Sequence, residues 1–313
     1  MSPRNYPRDA VLVVGSANMD LVFSVRRFPR PGETLFAGGF GMFPGGKGAN
    51  QAVACARLGT ETFLMAKTGR DLFREKLLDS LGRSGVRLGH VAADPSAPTG
   101  IALIGVDAGG ENEITVVSGS NMNLLPRDIR KRRGVFSRVG VVLLQLEIPL
   151  PTVVASAELA ARAGSLVVLN PAPAMKLPQS LLRRVDYLTP NETECEILSG
   201  KTVHSVKSAA IAAGRLIKQG VGNVIVTMGA RGALVVTRDG ANLFPSPRVK
   251  AVDTVAAGDA FNGAFAGALA AGMPLEEAVT LACAVGAFSV TRRGAQASMP
   301  TAAELRKFMH KSA

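Results

Sequence analysis

The stretch Val139-Gly-Val-Val-Leu-Leu-Gln-Leu146 is a short apolar run rich in β-branched residues, and after an alanine-rich segment a second run, Leu166-Val-Val-Leu169, repeats it. A strand buried on both faces has no polar side to show, so such runs alternating with helical stretches indicate a parallel sheet covered by helices. The alternation extends outward to Val11–Gly15 on one side and to Tyr187–Thr189 and Val224–Thr227 on the other, with Ala233–Thr237 following the last directly. The expected fold is therefore α/β: a doubly wound, mostly parallel sheet in a three-layer sandwich, with residues 1–313 forming one domain.

Two segments break the pattern. Residues 21–40 alternate loosely around Pro29, Pro31 and Gly32, and residues 99–117 read as two strands joined by the turn-forming run Asp107–Glu111. Because the main pattern resumes between and after them, they are expected to form a small β-sheet projecting from the body as a lid over a cleft.

Composition narrows the function. With 47% hydrophobic and 19% charged residues the chain has the makeup of a globular enzyme, not of a disordered segment. Cys55, Cys195 and Cys283 are far apart and form no CxxC pair, so they read as reduced thiols of a cytosolic protein, and His90, His204 and His310 are equally isolated. A zinc site or a histidine-dependent triad is hard to build from that stock. Met1–Asp9 is polar and basic, and the apolar run after it is too short for a signal-peptide core. The longest uncharged stretch, Ala260–Leu275, falls short of the roughly 18 residues of a membrane span and suits a tightly packed buried helix. The net charge of +12 raises the question of an anionic partner. Its densest cluster, Arg127, Arg130, Lys131, Arg132, Arg133 and Arg138, contains no aromatic for base stacking, which favours a solvated helix face over a nucleic-acid patch.

In an open parallel sheet, ligands bind beyond the carboxyl ends of the strands. Asn18 and Asp20, Glu147, Asn170, Asn191 and Glu194, and Gly229, Arg231 and Gly232 all follow apolar runs, so a parallel sheet gathers them on one rim. Asp253-Thr-Val-Ala-Ala-Gly-Asp259 leads into a helix expected from about Gly258 to Ala271. Small residues at Ala256, Ala257 and Gly258 let the backbone N–H groups of a helix start approach an anion. Two readings fit Asp259: a base beside that anion-binding turn, or a carboxylate that only stabilises the helix terminus. Asn191 and Glu194 have capping-box spacing, and Glu194 equally suits a carboxylate that orients water on a magnesium ion. Gly41–Lys47 imitates the start of a P-loop, but Gly48 replaces the magnesium-binding hydroxyl. Gly45–Asn50 instead offers exposed backbone and an amide at a helix start running through Leu58, either to contact a polyhydroxyl ligand or simply as a tight turn.

Seven segments in order resemble the phosphofructokinase-B-type sugar kinase family, and within it the ribokinases. They are Gly15-Ser-Ala-Asn18-Met-Asp20, Pro31-Gly-Glu-Thr34, Gly45-Gly-Lys-Gly-Ala-Asn-Gln-Ala-Val-Ala54, Asn170-Pro-Ala-Pro-Ala174, Asn191-Glu-Thr-Glu194, Asp253-Thr-Val-Ala-Ala-Gly-Asp259 and Thr291-Arg-Arg-Gly-Ala-Gln296. The resemblance implies ATP-dependent phosphorylation of the 5-hydroxyl of ribose. It also implies Asp259 as base, with Ala256, Ala257 and Gly258 as the anion hole. Asn18, Asp20, Gly46, Lys47, Asn50 and Glu147 match sugar-contacting positions. Asn191, Thr227, Gly229, Gly232 and Gly258 match positions near the nucleotide, and Glu194 the residue linked to magnesium through water. A potassium site would involve Asp253, Val255, Ser289, Arg292, Gly294 and Ser298, mostly through backbone carbonyls. A homodimer through the lid is implied as well; on the residues alone no membrane partner is expected, and nucleic acid is disfavoured despite the basic charge. Kinases for deoxyribose, another sugar or a nucleoside share the same pattern, and a catalytically silent sugar- or nucleic-acid-binding protein would share the fold.

Overall fold

The computed structural model describes residues 8–312. The first seven residues of the polar segment Met1–Asp9 lie outside the described residues.

The strands in chain order are β1 (Ala10–Val14), β2 (Asn18–Ser24), β3 (Gly39–Gly45), β4 (Glu61–Thr68), β5 (Arg87–Ala93), β6 (Gly100–Val106), β7 (Asn112–Val117), β8 (Val141–Leu144), β9 (Leu166–Leu169), β10 (Tyr187–Leu188), β11 (Asn223–Thr227), β12 (Ala233–Val236) and β13 (Ala241–Phe244). Nine of them make one sheet in the order β13-β12-β11-β10-β9-β8-β1-β4-β5, parallel from β11 to β5 and antiparallel through β12 and β13. Strand order reverses between β8 and β1. That is the switch point at which the connecting helices diverge to opposite faces and open a crevice.

The apolar runs are continuous because both faces are covered. Val11 and Val13 of β1 join one core with Val141 and Leu143 of β8 and with Ala260, Ala264 and Phe265 of the helix Ala257–Ala270. Leu12 and Val14 join the other core with Val142, Leu144, Val153 and Ala157. Each fully buried aliphatic side chain of this kind stabilises the fold by roughly 1.5–3 kcal/mol. The stretch expected to form one buried helix does so as far as Ala270, after which a turn leads to the next helix at Leu275, and its small residues matter. A Cβ on Gly263 would lie 2.5 Å from the Gln51 carbonyl oxygen, so only glycine lets this helix seat against Lys47–Arg57.

The second sheet, β3-β2-β6-β7, is the lid. The hairpin expected within residues 99–117 is present, its turn closed by Asp107, whose carboxylate accepts from Gly109 N at 2.8 Å and Glu111 N at 3.0 Å. The other piece is shifted from the expected 21–40. Its strands are 18–24 and 39–45, and the proline-bearing residues 25–38 between them are mostly irregular, because proline supplies no ladder donor. Asn18 and Asp20 therefore belong to a lid strand and not to the rim directly following β1.

The basic cluster is not one helix face. It divides between the short helix Pro126–Lys131 and the 3-10 turns of Arg133–Arg138, where the Arg138 guanidinium lies 5.5 Å from the Phe63 ring centre. These turns precede β8, at the end of the sheet opposite the crevice. Cys55, Cys195 and Cys283 are buried free thiols, and burial pushes Cys55 up to about 11 and the other two up to about 12. Among the described residues no helix is long and apolar enough to cross a membrane.

Candidate active site

Asp259 lies in the first turn of the helix Ala257–Ala270, 6% exposed, beyond the carboxyl ends of the strands. Its carboxylate does not cap its own helix. Oδ2 accepts from Asn50 Nδ2 at 3.0 Å and Oδ1 from Gln51 Nε2 at 2.9 Å, both donors coming from the helix Lys47–Arg57. The residue before the helix Ala257–Ala270, Ala256, has φ 59° and ψ 13°, the one non-glycine residue with positive φ among the described residues. This left-handed conformation costs an L-residue about 1–2 kcal/mol. It turns the chain sharply enough that no side chain caps the helix, while Gly258 stays exposed at its start.

The residues expected to contact a polyhydroxyl ligand come together from the start of the helix Lys47–Arg57, the lid strand β2 and the residue Glu147 after β8. Gly46, with φ 87°, ends β3's approach and starts the helix Lys47–Arg57. A Cβ there would meet Asn18 N at 2.7 Å, so glycine brings the helix start against the lid strand. Glu147, just after β8, accepts from Lys47 N at 3.1 Å and from Ser16 Oγ at 2.5 Å. Asn18 Oδ1 accepts from Asn121 Nδ2 at 2.6 Å, and Asn121 Oδ1 accepts from Ala17 N at 2.9 Å. Burial, with Glu147 and Asp259 nearby, raises the Asp20 carboxyl to about 7. The Lys47 ammonium is held above its ordinary value by Asp259 and, less strongly, by Glu147 and Glu194, against the effect of burial. Four acids, Asp20, Glu147, Glu194 and Asp259, and one lysine thus share a cleft in which charge is poorly screened.

On the other side, Asn191 and Glu194 form the capping box in full. Asn191 Oδ1 accepts from Glu194 N and Glu194 Oε2 from Asn191 N, each at 2.8 Å. Glu194 nevertheless faces the cleft: burial raises its carboxyl, while Lys47 lowers it and Asp259 raises it. Thr227 pairs with Asn191 across a parallel bridge, and its N–H donates to the Pro190 carbonyl at 2.9 Å. The following turn, Gly229–Arg231, is closed by Gly232 N on the Gly229 carbonyl at 3.0 Å and by the contact of Arg231 with Glu192. Glu194 leaves one carboxylate oxygen outside the box, and magnesium is held by one or two carboxylates with phosphates and water, so the residue suits that ion.

The six residues of the expected cation site are brought together in part. Asp253 Oδ1 accepts from Val255 N at 2.9 Å and Oδ2 from Gly294 N at 2.8 Å, tying the loop before Ala256 to the turn after the helix Leu275–Ser289. The hydroxyls of Ser289 and Ser298 donate to the Gly286 and Ala295 carbonyls at 2.8 Å, leaving backbone oxygens as the available ligands. The Arg292 side chain turns away, 4.3 Å from the Phe288 ring centre and paired with Glu304 at 2.8 Å. Its carbonyl is its only plausible ligand.

Buried amides complete the site, and of these sequence reading gave a place only to Asn170, on the rim. Gln51, Gln145, Asn170, Asn121 and Gln296 are each no more than 7% exposed. Gln51 and Gln296 lie inside motifs and Asn170 follows β9, but a buried amide has no spacing signature. The one signal was an uncharged polar residue interrupting an apolar run, as Gln145 does in Leu144-Gln-Leu146.

An acid at an uncapped helix start, in the crevice of a doubly wound sheet under a β lid, defines a phosphoryl-transfer enzyme for a small polyhydroxyl substrate. The chain belongs to the pfkB family of carbohydrate kinases, whose model matches residues 8–302. It is 39% identical over 302 residues to the ribokinase of Haemophilus influenzae, covering 96% of this chain and 99% of that protein. It is also 39% identical over 300 residues to the deoxyribokinase of Salmonella typhimurium, covering 96% and 98%. Among solved structures it resembles the ribokinase of Arabidopsis thaliana complexed with ribose and ATP, with a TM-score of 0.92, 33% identity and coverage of 96% and 98%. The ribokinase of Thermotoga maritima superposes with a TM-score of 0.89 at 40% identity, covering 96% and 99%.

Proposed function

We propose that this protein is an ATP-dependent ribokinase that transfers the γ-phosphoryl group to the 5-hydroxyl of D-ribose. The observation that carries the reading is the Asp259 carboxylate, buried, held by side chains of another helix and adjoining the open helix start at Ala256–Gly258. The sugar lies under the lid against Asn18, Asp20, Gly46, Lys47, Asn50 and Glu147. Asp259 takes the hydroxyl proton as the oxygen attacks, and the N–H groups of Ala256 and Gly258 face the charge gathering on the transferred group, joined by that of Ala257 once it leaves the long 3.3 Å bond it makes to the Thr254 carbonyl. Asn191, Thr227, Gly229 and Gly232 line the nucleotide side. Glu194 would hold magnesium through water, and bound magnesium neutralises phosphate charge during transfer. Asp253 and the carbonyls of Val255, Ser289, Arg292, Gly294 and Ser298 would hold potassium and order the anion-hole loop. The buried reduced thiols suit the cytosol.

The equal identity to a deoxyribokinase favours deoxyribose as a second substrate. Ribose is preferred on physical grounds. Asn18 and Asp20 are placed for adjacent hydroxyls, and a sugar lacking one would leave a buried polar group unpaired.

The test is ADP release with magnesium across ribose, deoxyribose, fructose and nucleosides, each with and without potassium. Ribose should give the highest kcat/KM, and potassium should raise the rate. Comparable values for deoxyribose would overturn the preference, and equal rates without potassium would remove the cation site.

A second copy is proposed to cover the lid. Register places Val116 and Ile114 on the face that carries Asp20 and Val22, and both are about half exposed, as is Phe43, while Phe40 is 68% exposed. Sedimentation should show a dimer at micromolar concentration, and a monomer there would refute the contact.

A further inference from the structure

The polar groups behind Asp259 form a closed circuit. Gln51 Nε2 donates to Asp259 Oδ1 at 2.9 Å and to Asn170 Oδ1 at 3.0 Å, while its Oε1 accepts from Gln145 Nε2 at 2.6 Å. Asn170 Nδ2 donates to the Thr189 carbonyl at 3.2 Å, Thr189 Oγ1 to Asn262 Oδ1 at 2.5 Å, and Asn262 Nδ2 to the Gly258 carbonyl at 2.8 Å. The path leaves the carboxylate and returns to the peptide immediately before it. Every member except Gly258 is 7% exposed or less, and Gln51 and Gln145 are fully buried.

Gln51 has no conformational choice in this circuit. Both acceptors it faces are oxygens, so its NH2 must point at them and its carbonyl at Gln145. Gln145 is fixed in turn by close packing, since a Cβ on Gly15 would come 1.9 Å from Gln145 Oε1. That oxygen is buried and has no hydrogen-bond partner among the described residues, an arrangement that costs roughly 1–3 kcal/mol. A group kept at such a cost serves its other end, the Nε2 that orients Gln51.

The two oxygens of Asp259 are thereby made unequal. Oδ1 is bound by a side chain with nothing further to give, facing the interior. Oδ2 is bound by Asn50, which itself accepts from Gln296 Nε2 at 3.2 Å and borders the sugar side. We propose that Gln51, set by Gln145, is a positioning residue that pins Oδ1 of Asp259 and so presents Oδ2 to the attacking hydroxyl. The proposal rests on Asp259 being the base.

The experiment measures kcat and the ribose KM in the full-length protein for Gln51→Met, Gln145→Met and each combined with Asp259→Asn. Gln51→Met is expected to lower kcat roughly 10- to 100-fold, the scale for a displaced catalytic group, with the ribose KM within about threefold. Gln145→Met should lower kcat less, in the same direction. In the Asp259→Asn background neither should lower the residual single-turnover rate further, because no carboxylate is left to aim. A residue that only supports the fold would cut the rate equally in both backgrounds and change KM with kcat. Folded Gln51→Met and Gln145→Met variants with parental kcat would overturn the positioning role while leaving the base intact. Parental turnover by Asp259→Asn alone would instead remove the base reading beneath it. Should Gln51→Met fail to fold, Gln145→Met, which replaces a half-unsatisfied amide by an apolar chain of similar length, decides the question.

Discussion

The helices Glu192–Ser199 and Ala257–Ala270 both start at the crevice with an acid in the first turn, yet they use it in opposite ways. In the first, Asn191 and Glu194 satisfy each other's backbone N–H groups, so the terminus is closed by its own side chains. In the second, Ala256 takes a left-handed conformation, no side chain caps the start, and Asp259 is bound by another helix. Orphan N–H groups must find a partner somewhere. A helix start that declines an internal cap keeps its positive end for something that arrives from outside, whereas a capped start has only a leftover carboxylate oxygen to offer.

The contrast is broken most directly at Asp259. Asp259→Asn keeps the hydrogen-bonding shape but not the basicity, and is expected to lower kcat by roughly 10²–10⁴-fold with the fold and ribose binding retained. Steady-state kinetics with calorimetry of ribose binding checks this, and near-parental turnover would make the two helix starts equivalent. Glu194→Gln should preserve the box, since glutamine also reaches back, while removing the charge. Unchanged thermal stability is expected, with a magnesium requirement or rate poorer by roughly 10–100-fold. A magnesium titration unchanged from the parent would leave Glu194 as a cap alone. The smallest effect belongs to Ala256→Gly, which relieves the left-handed strain but adds glycine's flexibility to the unfolded chain. A net gain of about 1 kcal/mol, or about 2 °C in melting temperature, is expected. A loss of stability would mean that the turn is not strained.

How much of this was legible depended on the kind of signal. β1, β8, β9 and β11 stand out because burial on both faces leaves no polar residue inside them, and Asp259 because a run of small residues precedes it. β4 and β5 were not read. Glu61 and Lys67 in the one, and Arg87, Gly89 and His90 in the other, dilute strands that lie toward the sheet edge. β2 was placed three residues late because the chain passes from body to lid over only Gly15–Ala17, too short a link to announce a change of sheet. The capping box and the metal carboxylate could not be separated by spacing, and the structure shows that the box is made while one oxygen remains. The amide circuit escaped because its members come from 51, 145, 170, 189 and 262, and only the closed sheet brings such distant positions together.

That short link also joins two jobs in one strand. β2 carries Asn18 and Asp20 and is at once the central spine of the lid, paired along its whole length with β3 and β6. Asp259, its supporting amides and the helix starts all belong to the body. On the proposed roles, recognition and chemistry are partly separate modules of inheritance: a lineage can redraw its choice of sugar through the lid while the phosphoryl-transfer apparatus stays as it was.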